Sequence, residues 1–290
     1  MIRKTLAIAA LLAASVVLAN DAAPVFDAGT ISGLGVRNIG SAAMSGRIST
    51  LDAVGMPDGK LTIWVGAASG GVWKSLDGGT TFEPVFDAQP VQSIGSVRID
   101  LRDPNTVWVG TGEAWTRNSV SIGDGIYKTS DGGDTWKNVG LPGSERIAEI
   151  LVDPRDSRTV YACVTGRLWS DSTDRGVYKT SDGGATWQQV LKGGNLSTGC
   201  ASLSMERQNP DVIYSALWDF RRKGWTFRSG GDSPTSPSAS ALMVTRDGGR
   251  TWTEVTPEAN PGFARKPYGR IAVNIALDPG YFSFPAGAKN

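Results

Sequence analysis

The sequence predicts an all-β fold built from repeated four-stranded antiparallel sheets. Three observations carry this. Glycine is abundant, at 37 of 290 residues, beside ten tryptophans and many short β-branched runs. No long segment after the N-terminus carries helical periodicity. A turn motif recurs four times: KSLDGGTTFEPV from Lys74, KTSDGGDTWKNV from Lys128, KTSDGGATWQQV from Lys179 and VTRDGGRTWTEV from Val244. Its aspartates, Asp77, Asp131, Asp182 and Asp247, lie 54, 51 and 65 residues apart, the spacing of blades in a β-propeller.

Each unit parses in the same order. An apolar strand A ends near Asp100 or Asp153, in VRIDLRDPNTVWVG, EILVDPRDSRTVYAC and the looser SLSMERQNPDVIYSA and TLDAVGMPDGKLTIWVG. A turn, proline-rich in most copies, leads to strand B, such as TVWVG. A loop of variable length leads to strand C, such as GIYKTS. The Asp-Gly-Gly turn joins C to a final strand D, such as TWKNV. Blades are expected at about 46–90, 92–140, 145–192 and 198–257, with a fifth begun in 262–290. Four complete blades and the start of a fifth make an incomplete ring, expected to be part of a propeller of seven or more blades.

The N-terminus, MIRKTLAIAALLAASVVLA, has Arg3 and Lys4 before an apolar run of about 14 residues, short of the roughly 20 that span a bilayer. Residues 1–19 read as an export signal and 20–45 as a lead-in, so the mature chain is expected in the periplasm or outside the cell, with no membrane span. Cleavage would change 29 basic against 28 acidic residues to 27 against 28. That balance gives no reason to seek nucleic acid.

There is no histidine. A Ser-His-Asp triad, a Cys-His pair and imidazole-ligated zinc are therefore excluded. No metal or cofactor is expected. An oxidising compartment allows Cys163 and Cys200 to pair as a disulfide, but as small core residues they are rather expected to remain buried thiols.

The repeated S/T-x-D-x-G-x-T-W pattern, with Phe82 for tryptophan in the first copy, resembles the Asp box, or bacterial neuraminidase repeat. That repeat occurs in sialidases, in the sortilin N-terminal domain and in xyloglucanase-type glycoside hydrolases. The stretches VRNIGSAAMSGRIS, VGAASGGVWKS and VGTGEAWTRNSVSIGDGIYKTSDGG extend the likeness to exported bacterial proteins of sortilin-like or glycosyl-hydrolase-like type, from about Val36 to Val273. An aspartate before Gly-Gly can accept backbone N–H groups of its own turn, while glycine permits positive φ. Asp77, Asp131, Asp182 and Asp247 are accordingly read as structural, and Phe82, Trp136, Trp187 and Trp252 as core wedges between blades.

Function is expected on the opposite face, in the B–C loops. Blade 1 has only AASGG; the others run 112–124, 165–176 and 217–240. They carry Trp115, Trp169, Trp218 and Trp225 among Arg117, Arg167, Arg221, Arg222 and Arg228. Such residues suit sugar stacking and protein or peptide contact alike. The tail RSGGDSPTSPSAS reads as a mobile Ser/Pro/Gly segment. Arg47, Arg146 and Arg270 each precede an isoleucine opening a strand A and are further ligand-binding candidates toward the central channel. Sialidases hold a substrate carboxylate on a central arginine cluster.

The leading functional expectation is a binding module of sortilin-like type for a protein, peptide or carbohydrate. The alternative is a glycoside hydrolase, which needs two carboxylates flanking the scissile bond. Glu113, Asp124, Glu149 and Asp219 are weak candidates for that role. One departure weighs against it. Resemblance to xyloglucanases implies a catalytic aspartate at a first-blade strand end, and WVGAASGGVW has Ala68 there. The tyrosine–glutamate pair of sialidases has no counterpart either.

Overall fold

The computed structural model describes residues 47–230 and 237–275, all within one compact unit spanning Asn38–Asn290. The expected export signal, the lead-in, the middle of the Ser/Pro/Gly segment and the last part of the fifth blade lie outside the described residues.

Four antiparallel sheets follow one another along the chain, and no helix occurs among the described residues. Blade 1 contains β1 (Ile48–Gly55), β2 (Leu61–Ala67), β3 (Val72–Ser75) and β4 (Glu83–Pro84). Blade 2 contains β5 (Ile94–Ile99), β6 (Val107–Thr111), β7 (Ile126–Thr129) and β8 (Lys137–Asn138). Blade 3 contains β9 (Ile147–Asp153), β10 (Asp156–Val164), β11 (Gly176–Thr180) and β12 (Gln188–Leu191). Blade 4 contains β13 (Thr198–Met205), β14 (Ile213–Lys223), β15 (Thr226–Ser229), β16 (Ala241–Thr245) and β17 (Thr253–Glu254). The protein is an all-β propeller.

The first strands of neighbouring blades are tied by a recurring bond. A side chain of one accepts an amide N–H of the next: Thr50 from Val97 at 3.3 Å, Ser96 from Ile150 at 3.0 Å, Glu149 from Leu203 at 2.9 Å and Ser202 from Val273 at 3.2 Å. The Ser202 bond, with Ile275 on Ser204 at 3.0 Å, shows the fifth blade only at its start.

Between blades the wedge is a pair of aromatics. Trp64 of β2 meets Trp136 edge-on at 6.2 Å, and Trp108 of β6 meets Trp187 at 6.4 Å. The indole N–H of Trp136 donates to the Val85 carbonyl at 2.6 Å, and that of Trp187 to Val139 at 2.8 Å. Lys74, Lys128 and Lys179 lie over the rings of Trp64, Trp108 and Tyr161. Lys74 and Lys179 also donate to the carbonyls of Gly132 and Gly248 in the next blade, both at 2.8 Å. Burying a flat ring, paired with another at an edge-on angle, gives these two blade boundaries their apolar area and their orientation together. Cys163 of β10 and Cys200 of β13 are disulfide-bonded rather than free thiols, a covalent link from blade 3 to blade 4.

Candidate functional site

The Asp-Gly-Gly turns and the B–C loops occupy opposite ends of the blades. At each turn the first glycine N–H donates to a carbonyl at or near the start of strand B in the same blade: Gly78 to Leu61, Gly132 to Asn105, Gly183 to Arg158, Gly248 to Asp211, all at 2.9–3.0 Å. Both glycines of every copy have positive φ, from 68° to 101°, which a side chain would strain. Each aspartate is fully engaged. In blade 3, Asp182 Oδ1 accepts the Thr186 N–H at 2.9 Å and the Thr180 hydroxyl at 2.7 Å, while Oδ2 accepts the Thr186 hydroxyl at 2.6 Å. Asp77, Asp131 and Asp247 repeat this set. Hydrogen bonds from the Thr81 N–H and hydroxyl and from Ser75 pull Asp77 down to about 2. The same kind of donors hold the other three well below the usual carboxylate range.

At the other end, the B–C loops meet the connections that lead from one blade to the next. Gly112 and Gly123, the two ends of the blade 2 loop, close on the carbonyls of Ser93 and Glu145 at 2.7 and 2.8 Å. Glu145 itself has φ 51°, unusual for a side-chain-bearing residue. A Cβ at Gly112 would lie 1.8 Å from its carbonyl oxygen, so only glycine fits there.

The structure brings Arg47, Glu113, Glu145, Arg146 and Arg167 together at this mouth. Arg47 pairs with Glu113, whose carboxylate is fully buried and whose second oxygen has no partner among the described residues. Burial pushes Glu113 up; Arg47, Arg117 and Arg146 pull against it. Arg146 is fully buried and gives Nη1 to Glu145 at 2.9 Å. Its Nε and Nη2, the two donors along one side of the guanidinium, have no partner among the described residues, and neither has Arg47 Nη1. Burial lowers Arg146 despite Glu145. Arg167 reaches the other oxygen of Glu145 at 3.7 Å.

The remaining candidates separate. Asp124 is held by the Tyr127 hydroxyl at 2.8 Å and by Thr111. Glu149 is the inter-blade acceptor already described, pushed up by burial. Asp219 is fully buried. Burial would raise it, but Ser197 at 2.6 Å, Asn195 at 3.0 Å, the Ala239 N–H and Arg228 together hold it low. Trp115, Trp169 and Trp225 are exposed, by 52%, 47% and 94%. Trp218 differs: it is buried beside Leu168, Ala201 and Phe220. Part of the expected blade 4 loop is in fact a hairpin, β14 to β15, turning at Gly224–Trp225. Arg221 pairs with Asp171, and Arg222 donates to Asn118 of the blade 2 loop.

Sequence reasoning missed three features: the strand-B ring in each wedge, the lysine clamps, and Arg175. The lysines stood in plain view as the first letter of three motif copies. Arg175 is buried against Phe220 and donates to the Thr165, Arg167 and Ser170 carbonyls, closing the blade 3 loop. Burial lowers it to about 10.

The family model for Sortilin-Vps10, described as sortilin, neurotensin receptor 3, matches residues 70–218, just over half of the 290-residue chain. The chain belongs to this family. This sortilin-family propeller is also similar to xyloglucanases. It is 28% identical over 216 residues to a xyloglucanase of Hypocrea jecorina, covering 67% of this chain and 24% of that one. It is 24% identical over 266 residues to an oligoxyloglucan-reducing end-specific xyloglucanase of Emericella nidulans, covering 78% and 30%. Among solved structures, the GH74 xyloglucanase from Xanthomonas campestris matches with TM-score 0.51 at 16% identity, over 78% of this chain and 32% of that one. The chain thus spans less than a third of each of these proteins, and the structural match shows the fold. Among the described residues no helix is long and apolar enough to cross a membrane.

Proposed function

We propose that this sortilin-family chain is an exported, periplasmic or secreted, binding module. Its ligand face is the B–C loop mouth, and its ligand is a protein, peptide or carbohydrate. One contrast carries the reading. The carboxylates weighed for catalysis, Glu113, Asp124, Glu149 and Asp219, are each held in the scaffold by hydrogen bonds or an ion pair. Arg146, by contrast, keeps two adjacent guanidinium donors, Nε and Nη2, buried beneath the mouth with no partner among the described residues. That pair of donors matches an acidic group, with the exposed rings of Trp115 and Trp169 on the same face. The Asp-Gly-Gly aspartates at the opposite end serve as turn pins.

The xyloglucanase relatives favour a second reading, a glycoside hydrolase acting on extracellular glycans. Against it, Ala68 stands where those enzymes would supply a catalytic aspartate. It is fully buried, with its N–H on the Arg47 carbonyl at 2.9 Å.

A glycan array and a peptide panel, run beside a reducing-sugar assay on xyloglucan, separate the two. The expected result is retention of an acidic ligand, weakened about tenfold or more by Arg146→Gln, with no sugar released. Release of reducing ends without retention would establish the hydrolase instead.

A further inference from the structure

Arg270 stands at the repeat position of Arg47 and Arg146, in YGRIA beside SGRIS and SERIA. Those two arginines are held by carboxylates, Glu113 and Glu145. Arg270 has no ion pair and no hydrogen bond among the described residues. Its guanidinium carbon lies 4.7 Å from the ring centroid of Trp115 and 5.4 Å from that of Trp218. The rings belong to the blade 2 loop and to strand β14 of blade 4, so a single guanidinium is gripped between two separate elements by π faces.

The walls of this slot stand without their occupant. Trp218 donates its indole N–H to the Ser229 hydroxyl at 2.8 Å and packs on Phe220 and Phe227 at 4.7 and 5.6 Å. The loop bearing Trp115 is tied to the hairpin through Asn118, which donates to the Gly224 carbonyl at 3.2 Å and accepts from Arg222. Val120 of the same loop packs on the Leu168–Trp218–Phe220 cluster. The occupant sits on an irregular, exposed stretch of backbone. Residues 262–272 contain no strand, and Gly269 and Arg270 are exposed. Half of the Trp115 surface faces solvent.

We propose that Trp115 and Trp218 form a π-walled slot for an arginine side chain of a protein partner, and that Arg270 is its resident, displaceable occupant. The chemistry follows from what the slot already holds. A guanidinium is planar, delocalised and weakly hydrated, so it stacks between indoles at small desolvation cost. An ammonium is compact and strongly hydrated, and no carboxylate among the described residues lines the slot to compensate it. The slot therefore selects arginine over lysine. Replacing one guanidinium by another exchanges like contacts, so the partner's arginine competes with Arg270 on near-equal terms and Arg270 lowers its apparent affinity. This inference rests on the reading of the loop mouth as a ligand face, and names a protein as the ligand for this part of it.

The test uses the full chain and two blocked tripeptides, acetyl-Gly-Arg-Gly-amide and acetyl-Gly-Lys-Gly-amide, titrated by tryptophan fluorescence and by NMR. Arg270→Ala is expected to bind the arginine tripeptide about tenfold tighter than the wild type, and to bind the lysine tripeptide more weakly than the arginine one. Adding Trp115→Ala to Arg270→Ala should abolish the gain. Arg270→Gln serves in the same role where the alanine variant does not fold. Equal affinity of wild type and variant, or equal affinity for the two tripeptides, would overturn the slot. Tripeptide binding with no ligand found on the array or panel would leave the slot standing and remove the broader reading. A panel ligand indifferent to Trp115 and Arg270 would do the reverse.

Discussion

Trp64→Ala is expected to lower the unfolding free energy by about 3–5 kcal/mol, the usual range for truncating a large buried ring. Trp64 is fully buried in β2 and forms the blade 1 half of the wedge that Trp136 of blade 2 enters. Lys74 lies over it at 5.2 Å, and Gly133 passes so close that a Cβ there would approach the ring to 2.9 Å. Removing the indole opens a cavity between two blades that neither sheet can close alone. Its N–H has no partner among the described residues, so the cost is one of packing. Urea unfolding followed by far-ultraviolet circular dichroism checks this. Trp225→Ala, at the exposed hairpin tip, is the control and should stay within about 0.5 kcal/mol of wild type. Equal stability of all three proteins would mean that the wedges do not hold the blades together.

The second large effect is expected from the double variant Cys163→Ala/Cys200→Ala. The bond joins strands of adjacent blades across 37 residues of sequence. Removing a link of that span costs about 2–4 kcal/mol, chiefly because the unfolded chain recovers freedom. The same urea experiment reads the loss, and a thiol titration of the denatured wild type should find no free cysteine among its two. Two titratable thiols and an unshifted midpoint would show that the cysteines are simple core residues.

How much was legible in the sequence depends on how local each signal is. The Asp-Gly-Gly turn is specified within a few residues, because one aspartate, two glycines and a threonine bond to one another, so all four turns could be placed from the motif. The wedge needed more: Trp136 read as core, but its partner Trp64 lies in the preceding blade, and nothing near Trp136 names it. The hairpin β14–β15 was hidden in a stretch taken for loop, although WDFRRKGWTFR alternates Trp218, Asp219, Phe220 and Arg221 and turns at Gly224. The three repeat-related arginines were the least legible. Arg47, Arg146 and Arg270 share one motif and yet meet Glu113, Glu145 and a pair of indoles. Their partners come from loops whose lengths differ from blade to blade, so each fate is set by tertiary contact.

The division of the molecule into pinned turns at one end and a ligand face at the other is tested most directly by NMR titration of the side-chain carboxyl groups of Asp77, Asp131, Asp182 and Asp247. An unfolded aspartate titrates near 3.9, about two units above folded Asp77. Between those values the unfolded chain binds more protons than the folded one. The contribution of these groups to stability is therefore full above pH ~4 and is lost as pH falls through the folded values. In the folded protein all four carboxylates should remain ionised at pH ~3, with Asp77 the first to protonate, at about 2. A folded-state value near 4 or higher at any of the four would mean an unpinned carboxylate, free to take part in chemistry at the end of the propeller assigned here to scaffold.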